Sequence, residues 1–434
     1  MPFLYSLVLA GALIVGAPWW LLSMFRHGKY RAGFWERCGF VPRRLNSTPG
    51  PSGTAGATNS ENCTWVHAVS VGEVLAVTGL IEELRRQPHQ RVVISTTTAT
   101  GQKLARDRFG AENVFYFPLD FAFAIRPYIH RLRPQLLILV ETEFWPNLLW
   151  LAHAEGIRVA VVNARLSDRS FPRYRRFRRL LRSMLDTIDV YLAQSEEDAR
   201  RLAAIGARPN RIRVCGNLKF DFRPPAALPL VASLHAALQQ AGAGPLIAAG
   251  STVEGEEEEI LAAFRRVRER WPKAVLLLAP RHPERFPDVA GLLVASGLTW
   301  WRRSQWTGTP VGGGVFLLDS IGELSAAYAL AQIAFVGGSL APRGGHNILE
   351  PAFHGVPVVV GPHTENFRDV IALFARQNAV RVVKNGEELA DLWLRLLADE
   401  RERAELGSRA GAVLRSYSGA TARTIDILQA LVRT

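Results

Sequence analysis

Short runs rich in β-branched and aromatic residues recur in two successive series along this 434-residue chain, separated by amphipathic stretches of helical length. The first series is Trp65–Val69, Arg91–Thr96, Val114–Phe117, Leu136–Val140, Val159–Val162 and Val190–Ala193. The second is Leu246–Ala249, Ala274–Ala279, Val315–Leu318, Ile333–Val336 and Val356–Val360. Apolar runs without polar alternation are strands buried on both faces, and helices between them make the sheet parallel. Each series therefore predicts a Rossmann-like, doubly wound α/β domain. Between them Gly216–Leu230 carries three prolines and loses the pattern, which predicts domains over 64–215 and 231–434 with a linker over 216–230. Ligands bind at the carboxyl ends of strands in such sheets, and two domains facing each other predict one cleft. Gly386–Thr434 reads as three helices, the last suited to packing back on the first domain.

The N-terminus follows a different rule. Residues 2–25 contain no charged side chain, and Arg26, His27, Lys29 and Arg31 follow at once. At about 1.5 Å per residue, Phe3–Phe25 matches a hydrocarbon core of roughly 30 Å. Trp19 and Trp20 suit the interfacial belt, and the basic cluster predicts the rest of the chain on the cytoplasmic side. A cleaved signal peptide would carry its charge before the apolar run, not after it. Residues 1–25 are thus expected to be a membrane anchor, spanning or dipping in at Pro18. Residues 26–63 are expected to be a basic juxtamembrane segment and a flexible tether, the stretch 43–63 being rich in Pro, Gly, Ser and Thr.

The net charge of +13, almost all from Arg, implies anionic partners. Seven arginines lie among aromatic and leucine residues in Arg169–Arg182, with no balancing acids, which suits lipid phosphate or an anionic bilayer. Charge alone also suits nucleic acid. Cys38, Cys63 and Cys215 are far apart and form neither a disulfide framework nor a zinc motif, which points to a reducing compartment and no metal.

Several motifs can carry chemistry. Trp65-Val-His-Ala-Val-Ser-Val-Gly-Glu73 is a strand running through a small-residue turn into a helix. Glu73 there serves equally as a helix cap or as a general base, while His67 reads as a packed core histidine. Glu141-Thr-Glu-Phe-Trp-Pro146 sets two carboxylates after a buried strand, costly unless paired or functional. Lys219 in Gly216-Asn-Leu-Lys-Phe-Asp221 suits a phosphate or a pair with Asp221. Arg281 follows a strand, where an arginine can bind phosphate bidentately. The block Val336–Pro351 opens a strand into a glycine-rich loop and then a helix expected near Gly345–Asn347, with Glu350 placed for ribose hydroxyls. The absence of GxxxxGK[ST] and GxGxxG argues against a P-loop nucleotidase and a dehydrogenase.

Taken together, HAVSVGE, TTTATG, ETEFWPN, NARLSDRS, GNLKFD, PRHPERF, FVGGSL and RGGHNILEP, in this order behind an apolar N-terminus, resemble the 3-deoxy-D-manno-octulosonic acid (Kdo) transferases of lipid A biosynthesis. The resemblance runs nearly end to end and implies a GT-B fold. It implies inverting transfer of Kdo from CMP-Kdo to the 6′-hydroxyl of a lipid A precursor, lipid IVA, with release of CMP. It also implies a place on the cytoplasmic side of the inner membrane, an anionic membrane surface as partner, no cofactor, no metal and no nucleic acid. By the same resemblance Glu73 is the proton acceptor, and Glu141 and Lys219 stabilise the transition state. Pro280, Arg281, Ile321, Gly322, Glu323, Asn347, Ile348, Leu349 and Glu350 contact CMP. A UDP-GlcNAc-dependent transferase or epimerase fits the α/β pattern equally well, and a basic, membrane-tethered binding protein is the non-enzymatic alternative.

Overall fold

The computed structural model describes residues 5–16, 32–46, 62–222 and 229–433. It divides into two compact units, Met1–Asp221 with Ser418–Thr434, and Phe222–Tyr417.

The first unit is built on a seven-stranded sheet: β1 Asn62–His67, β2 Gln90–Thr96, β3 Val114–Tyr116, β4 Leu136–Val140, β5 Arg158–Ala164, β6 Val190–Ala193 and β7 Ile212–Val214. Every pairing is parallel and the spatial order is β3-β2-β1-β4-β5-β6-β7. Both faces are packed. Trp65, Val93, Leu137 and Leu139 join one core, while Val66, Ile94, Ile138 and Val140 join the other. That two-sided burial explains why these strands read as continuous apolar runs. The second unit repeats the plan with β8 Leu246–Thr252, β9 Val275–Pro280, β10 Trp300–Arg302, β11 Val315–Leu317, β12 Ile333–Val336, β13 Val358–Val360 and β14 Arg381–Val382. Its order is β10-β11-β9-β8-β12-β13-β14, again all parallel. The strand order reverses between β1 and β4 in one sheet and between β8 and β12 in the other, the places where such sheets bind ligands.

Two boundaries differ from the sequence reading. The last helix, Ala420–Arg433, was counted within a 231–434 domain although suited to packing back on the first, and it does belong to the first unit. Leu428, Ile425 and Leu431 pack into the core beside the helix Val71–Arg85, and the Asp221 carboxylate accepts the N–H groups of Gly419 and Thr421. Residues 32–46, expected in the basic juxtamembrane segment and the start of the flexible tether, fold onto the same unit. The Glu36 carboxylate receives the Tyr116 N–H (2.8 Å) and pairs with Arg44 (2.7 Å), and Leu45 is buried.

Residues 5–16 are helical. Tyr5 meets Trp150 edge-on and Ser6 hydrogen-bonds Asn147, whereas Leu7, Val8, Leu13, Ile14 and Val15 are exposed. Among the described residues no helix is long and apolar enough to cross a membrane, so the expected anchor has no spanning helix there. Residues 1–4 and 17–25 of that anchor, the basic cluster Arg26–Arg31, tether residues 47–61 and linker residues 223–228 lie outside the described residues.

Candidate active site

In the first unit β1 turns through Ala68–Ser70 into the helix Val71–Arg85, and Glu73 sits in that helix's first turn. Its Oε2 accepts the Val69 N–H (2.8 Å) and its Oε1 accepts the Ser70 hydroxyl (3.0 Å), so it does close the turn. Capping is not the whole account, because Glu73 is only 8% exposed. Burial pushes its carboxyl from 4.5 up to about 7. The charges of Glu141 and Glu143 push the same way, against the Val69 and Ser70 hydrogen bonds. A helix dipole alone lowers a carboxyl in the first turn; desolvation outweighs it here.

Glu141 follows β4, beside β1, and holds the left-handed φ of 60° with its N–H bonded to the Val162 carbonyl (2.9 Å). A non-glycine residue there is strained, and such strain gathers at functional sites. Burial and the Glu141 charge also raise the carboxyl of Glu143, to which the sequence reading gave no role of its own. Three mutually repelling carboxylates at the strand-order reversal are hard to explain as stabilisation and mark a candidate for acid–base work.

Lys219 lies in the turn Leu218–Asp221, which packs against the helix carrying Glu73. Asn163, with φ 53° at the end of β5, fixes that turn by accepting the Leu218 N–H (3.0 Å). The carboxylate of Asp221, the alternative partner for Lys219, accepts the backbone N–H groups of Gly419 and Thr421 at the start of the last helix. His67 is a core residue, as its sequence suggested. It is fully buried, bonded through Nδ1 to Ser95 Oγ (2.9 Å), packed at a tilt against Phe117 (4.0 Å between centroids), and held neutral as burial lowers it to about 3.

In the second unit the predicted nucleotide blocks meet at the ends of β8, β9 and β12. The Arg281 N–H donates to the Thr252 carbonyl (2.9 Å), fastening the loop after β9 to the end of β8. His346 lies close enough to Arg281 and His282 that their charge adds to burial in lowering it to about 4, so it is neutral. Gly338 makes room for that imidazole. With φ 68°, a Cβ there would meet two His346 ring atoms at 2.7 Å. Asn347 Oδ1 accepts the Leu349 N–H (3.1 Å), and its Nδ2 donates to Glu350 Oε1 (3.2 Å). The 321–328 segment joins the group through His354, bonded to the Ser325 carbonyl (2.8 Å), and through Tyr328, whose phenol feels the Glu350 charge.

Not every predicted contact residue offers its side chain. Ile348 and Leu349 are buried in the core and leave only backbone to a ligand, and Pro280 closes β9. The helix expected near Gly345–Asn347 begins only at Leu349 and is five residues long. Ile321 is 68% exposed and Gly322 has φ 91° in open space. The Glu323 carboxylate is gripped by Arg303 through two bonds of 3.0 Å and by the Ser320 hydroxyl.

The family model for 3-deoxy-D-manno-octulosonic-acid transferase (kdotransferase) matches residues 32–222. The 3-deoxy-D-manno-octulosonic acid transferase of Bordetella pertussis is 37% identical over 437 residues, covering 98% of each chain. That of Haemophilus influenzae is 36% identical over 414 residues, 94% of this chain and 93% of the relative. The chain belongs to the Kdo transferase family. It is therefore a glycosyltransferase.

Among solved structures, the UDP-GlcNAc 2-epimerase of Neisseria meningitidis covers 85% of this Kdo transferase and 99% of its own chain, with TM-score 0.53 at 12% identity. That likeness shows the shared two-domain α/β fold of GT-B enzymes and nothing of specificity. The C-terminal CMP-Kdo binding domain of WaaA from Acinetobacter baumannii is 39% identical over 42% of this chain and 98% of its own, with TM-score 0.40.

The sequence reading missed two residues of the Kdo transferase, Glu256 and Glu257, in the acidic run that opens the helix Glu257–Arg270. Such a run reads as a solvated first turn, yet both are buried. Glu256 accepts N–H groups of the glycine-rich loop. Glu257 binds Arg285 (2.5 Å) and Thr252 Oγ1 (3.1 Å), bracing the loop that carries Arg281. The arginine stretch forms the helices Phe171–Arg176 and Arg178–Leu185, leaving Phe177 and Leu180 exposed. Tyr174 within it lies close enough to Glu143 for that charge to raise its phenol, after burial. Among the described residues no group of three or more His, Cys, Asp or Glu is placed to hold a metal ion.

Proposed function

We propose that this Kdo transferase moves Kdo from CMP-Kdo to a hydroxyl of a lipid A precursor, lipid IVA, inverting the anomeric centre and releasing CMP. The observation that supports it most is Glu73, a buried carboxyl near neutrality at the ligand-binding end of its sheet. A general base works best with a pKa close to the operating pH.

In the proposed step the acceptor hydroxyl gives its proton to Glu73 as its oxygen bonds to the anomeric carbon of Kdo. The bond from that carbon to the CMP phosphate oxygen breaks on the opposite face, and the electron pair leaves with CMP. One displacement inverts the centre, whereas retention would need a covalent intermediate. Positive charge grows on the sugar and negative charge on the departing phosphate. Glu141 suits the first and Lys219 the second, as transition-state stabilisers. Arg281, Asn347 and Glu350 bind the nucleotide, with the backbone at Pro280, Ile348 and Leu349. Glu323 is positioned by Arg303 at the edge of that set, beside Ile321 and Gly322.

The same reading places the enzyme on the cytoplasmic face of the inner membrane. The exposed apolar side chains of residues 5–16 and the Arg169–Arg182 helices support it. The test is transfer with CMP-Kdo and tetra-acylated lipid A precursor, with the product mass measured. A mass gain of whole Kdo residues is expected. No gain, or thermal protection of the protein by UDP equal to that by CMP, would overturn the donor and acceptor assignment.

A further inference from the structure

The N–H groups of Gly338, Ser339, Leu340 and Ala341 converge, as in loops that cradle a phosphate. In this enzyme the hollow is filled from within. Glu256, with no exposed surface, lies beneath it. Its Oε1 accepts from Ser339 (2.8 Å), Leu340 (2.8 Å) and Ala341 (3.2 Å), and its Oε2 from Gly338 (2.7 Å) and Val253 (3.0 Å). A carboxylate offers about four lone-pair sites, so these five donors exhaust it. The fit is close, because a Cβ on Gly337 would lie 2.8 Å from Glu256 Oε2 and 2.7 Å from the Ser251 carbonyl.

The first half of the loop in turn carries the second. The Gly338 carbonyl accepts the Gly345 N–H (2.7 Å), and Gly338 packs against the His346 ring. His346 stands beside Arg281, and Asn347 follows it. A continuous set of contacts thus runs from Glu256 through Gly338 to the residues that face the nucleotide.

We propose that Glu256 is a positioning residue for the phosphate of the donor nucleotide, a claim that rests on the donor reading above. Its carboxylate occupies the amide hollow of residues 338–341 and bars a second anion there by charge. The phosphate is left to the second half of the loop, Gly344–Asn347, together with Arg281.

The experiment compares Glu256→Gln, Glu256→Asp and the exposed neighbour Glu258→Gln in the full chain. Binding of CMP and of cytidine is measured by calorimetry, and exchange of amides 338–341 by mass spectrometry. Glutamine sets an NH₂ donor against backbone N–H donors, and aspartate draws the acceptor back by one methylene. In Glu256→Gln, exchange at 338–341 is expected to quicken and CMP to bind more weakly by about tenfold or more, the size of one lost charge-assisted hydrogen bond, with cytidine changing by less than about threefold. Glu258→Gln should match the unmodified enzyme. CMP affinity retained in both Glu256 variants, or CMP and cytidine lost in equal measure, would overturn the proposal. If Glu256→Gln does not fold, the CMP-to-cytidine ratio of Glu256→Asp decides. Failure of the donor reading is distinct, because the unmodified enzyme would then show no preference for CMP over cytidine.

Discussion

Replacing Glu73 by glutamine removes a charge that the fold holds at a cost, so the substitution is expected to stabilise the enzyme while stopping its reaction. The folded protein keeps a proton on Glu73 up to about pH 7, whereas the unfolded chain releases it near the ordinary value of 4.5. Between those two values the native state binds more protons, so stability falls as pH rises, and the penalty is fully present above about pH 7. At 1.36 kcal/mol per pH unit the ionised carboxylate costs about 3 kcal/mol. Glutamine keeps one oxygen for the Val69 N–H but puts an NH₂ group where the other oxygen accepted the Ser70 hydroxyl, which costs about 1 kcal/mol. The net gain expected at pH 8 is about 2 kcal/mol, shrinking toward zero or slightly below it at pH 4.5, where Glu73 is protonated in the folded enzyme and half protonated in the unfolded chain.

Urea unfolding of both proteins at pH 4.5 and pH 8 measures the difference directly. Turnover of Glu73→Gln should fall about 10²- to 10⁴-fold, the usual contribution of a positioned base. In the unmodified enzyme kcat/KM should fall about tenfold per pH unit below 7 as the base becomes protonated. A helix cap predicts the reverse pattern, in which glutamine costs stability equally at both pH values and leaves turnover alone. That result would refute the base assignment together with the burial argument behind it.

Three further outcomes are expected. Glu141→Gln should move the acidic limb of the pH–rate profile to lower pH, because one of the charges raising Glu73 is gone; an unmoved midpoint in the same assay would refute the coupling. Arg281→Ala and Glu350→Ala should each weaken CMP binding about tenfold or more by calorimetry, since a charge-assisted bond contributes about 1.5–3 kcal/mol. Neither should shift the melting temperature much, Arg281 being exposed and Glu350 half-buried. Deleting residues 1–25 should release much of the enzyme from membranes, and high salt should strip the remainder held by Arg169–Arg182 at about 1 kcal/mol per basic group; membrane pelleting checks both.

The readable parts of this fold are those where burial is two-sided. Leu136–Val140, Val190–Ala193 and Ile333–Val336 are strands with the bounds their apolar runs suggest. The edge strands β7, β10 and β14 are two or three residues long and partly exposed, so Ile212–Val214, Trp300–Arg302 and Arg381–Val382 carry no such run. Glu73, Glu141 and Arg281 could be singled out because strand-to-loop transitions mark ligand-facing ends. The direction of the Glu73 shift could not, because a helix N-terminus is visible in sequence and desolvation by the surrounding fold is not. Glu256 and Glu257 escaped notice for a related reason. Four successive glutamates look solvated, and only the approach of loops eighty and thirty residues away in sequence buries two of them.

Two of the buried glutamates at the strand-order reversals, Glu73 and Glu256, show how the number of donors divides one side chain between opposite uses. Glu73 receives two hydrogen bonds and faces the charges of Glu141 and Glu143. Its charged form is undersupplied with partners, so a proton is welcome, and it is suited to taking one from a substrate. Glu256 receives five backbone N–H groups and has no lone pair left to offer. It cannot accept a substrate's proton without giving up the loop it holds, so it is suited to scaffolding. Removing donors from the second should loosen the loop, whereas adding a donor beside the first should lower its pKa and weaken it as a base. A lysine near Glu143 that leaves the fold intact should therefore slow transfer near neutral pH even though no catalytic residue has been touched.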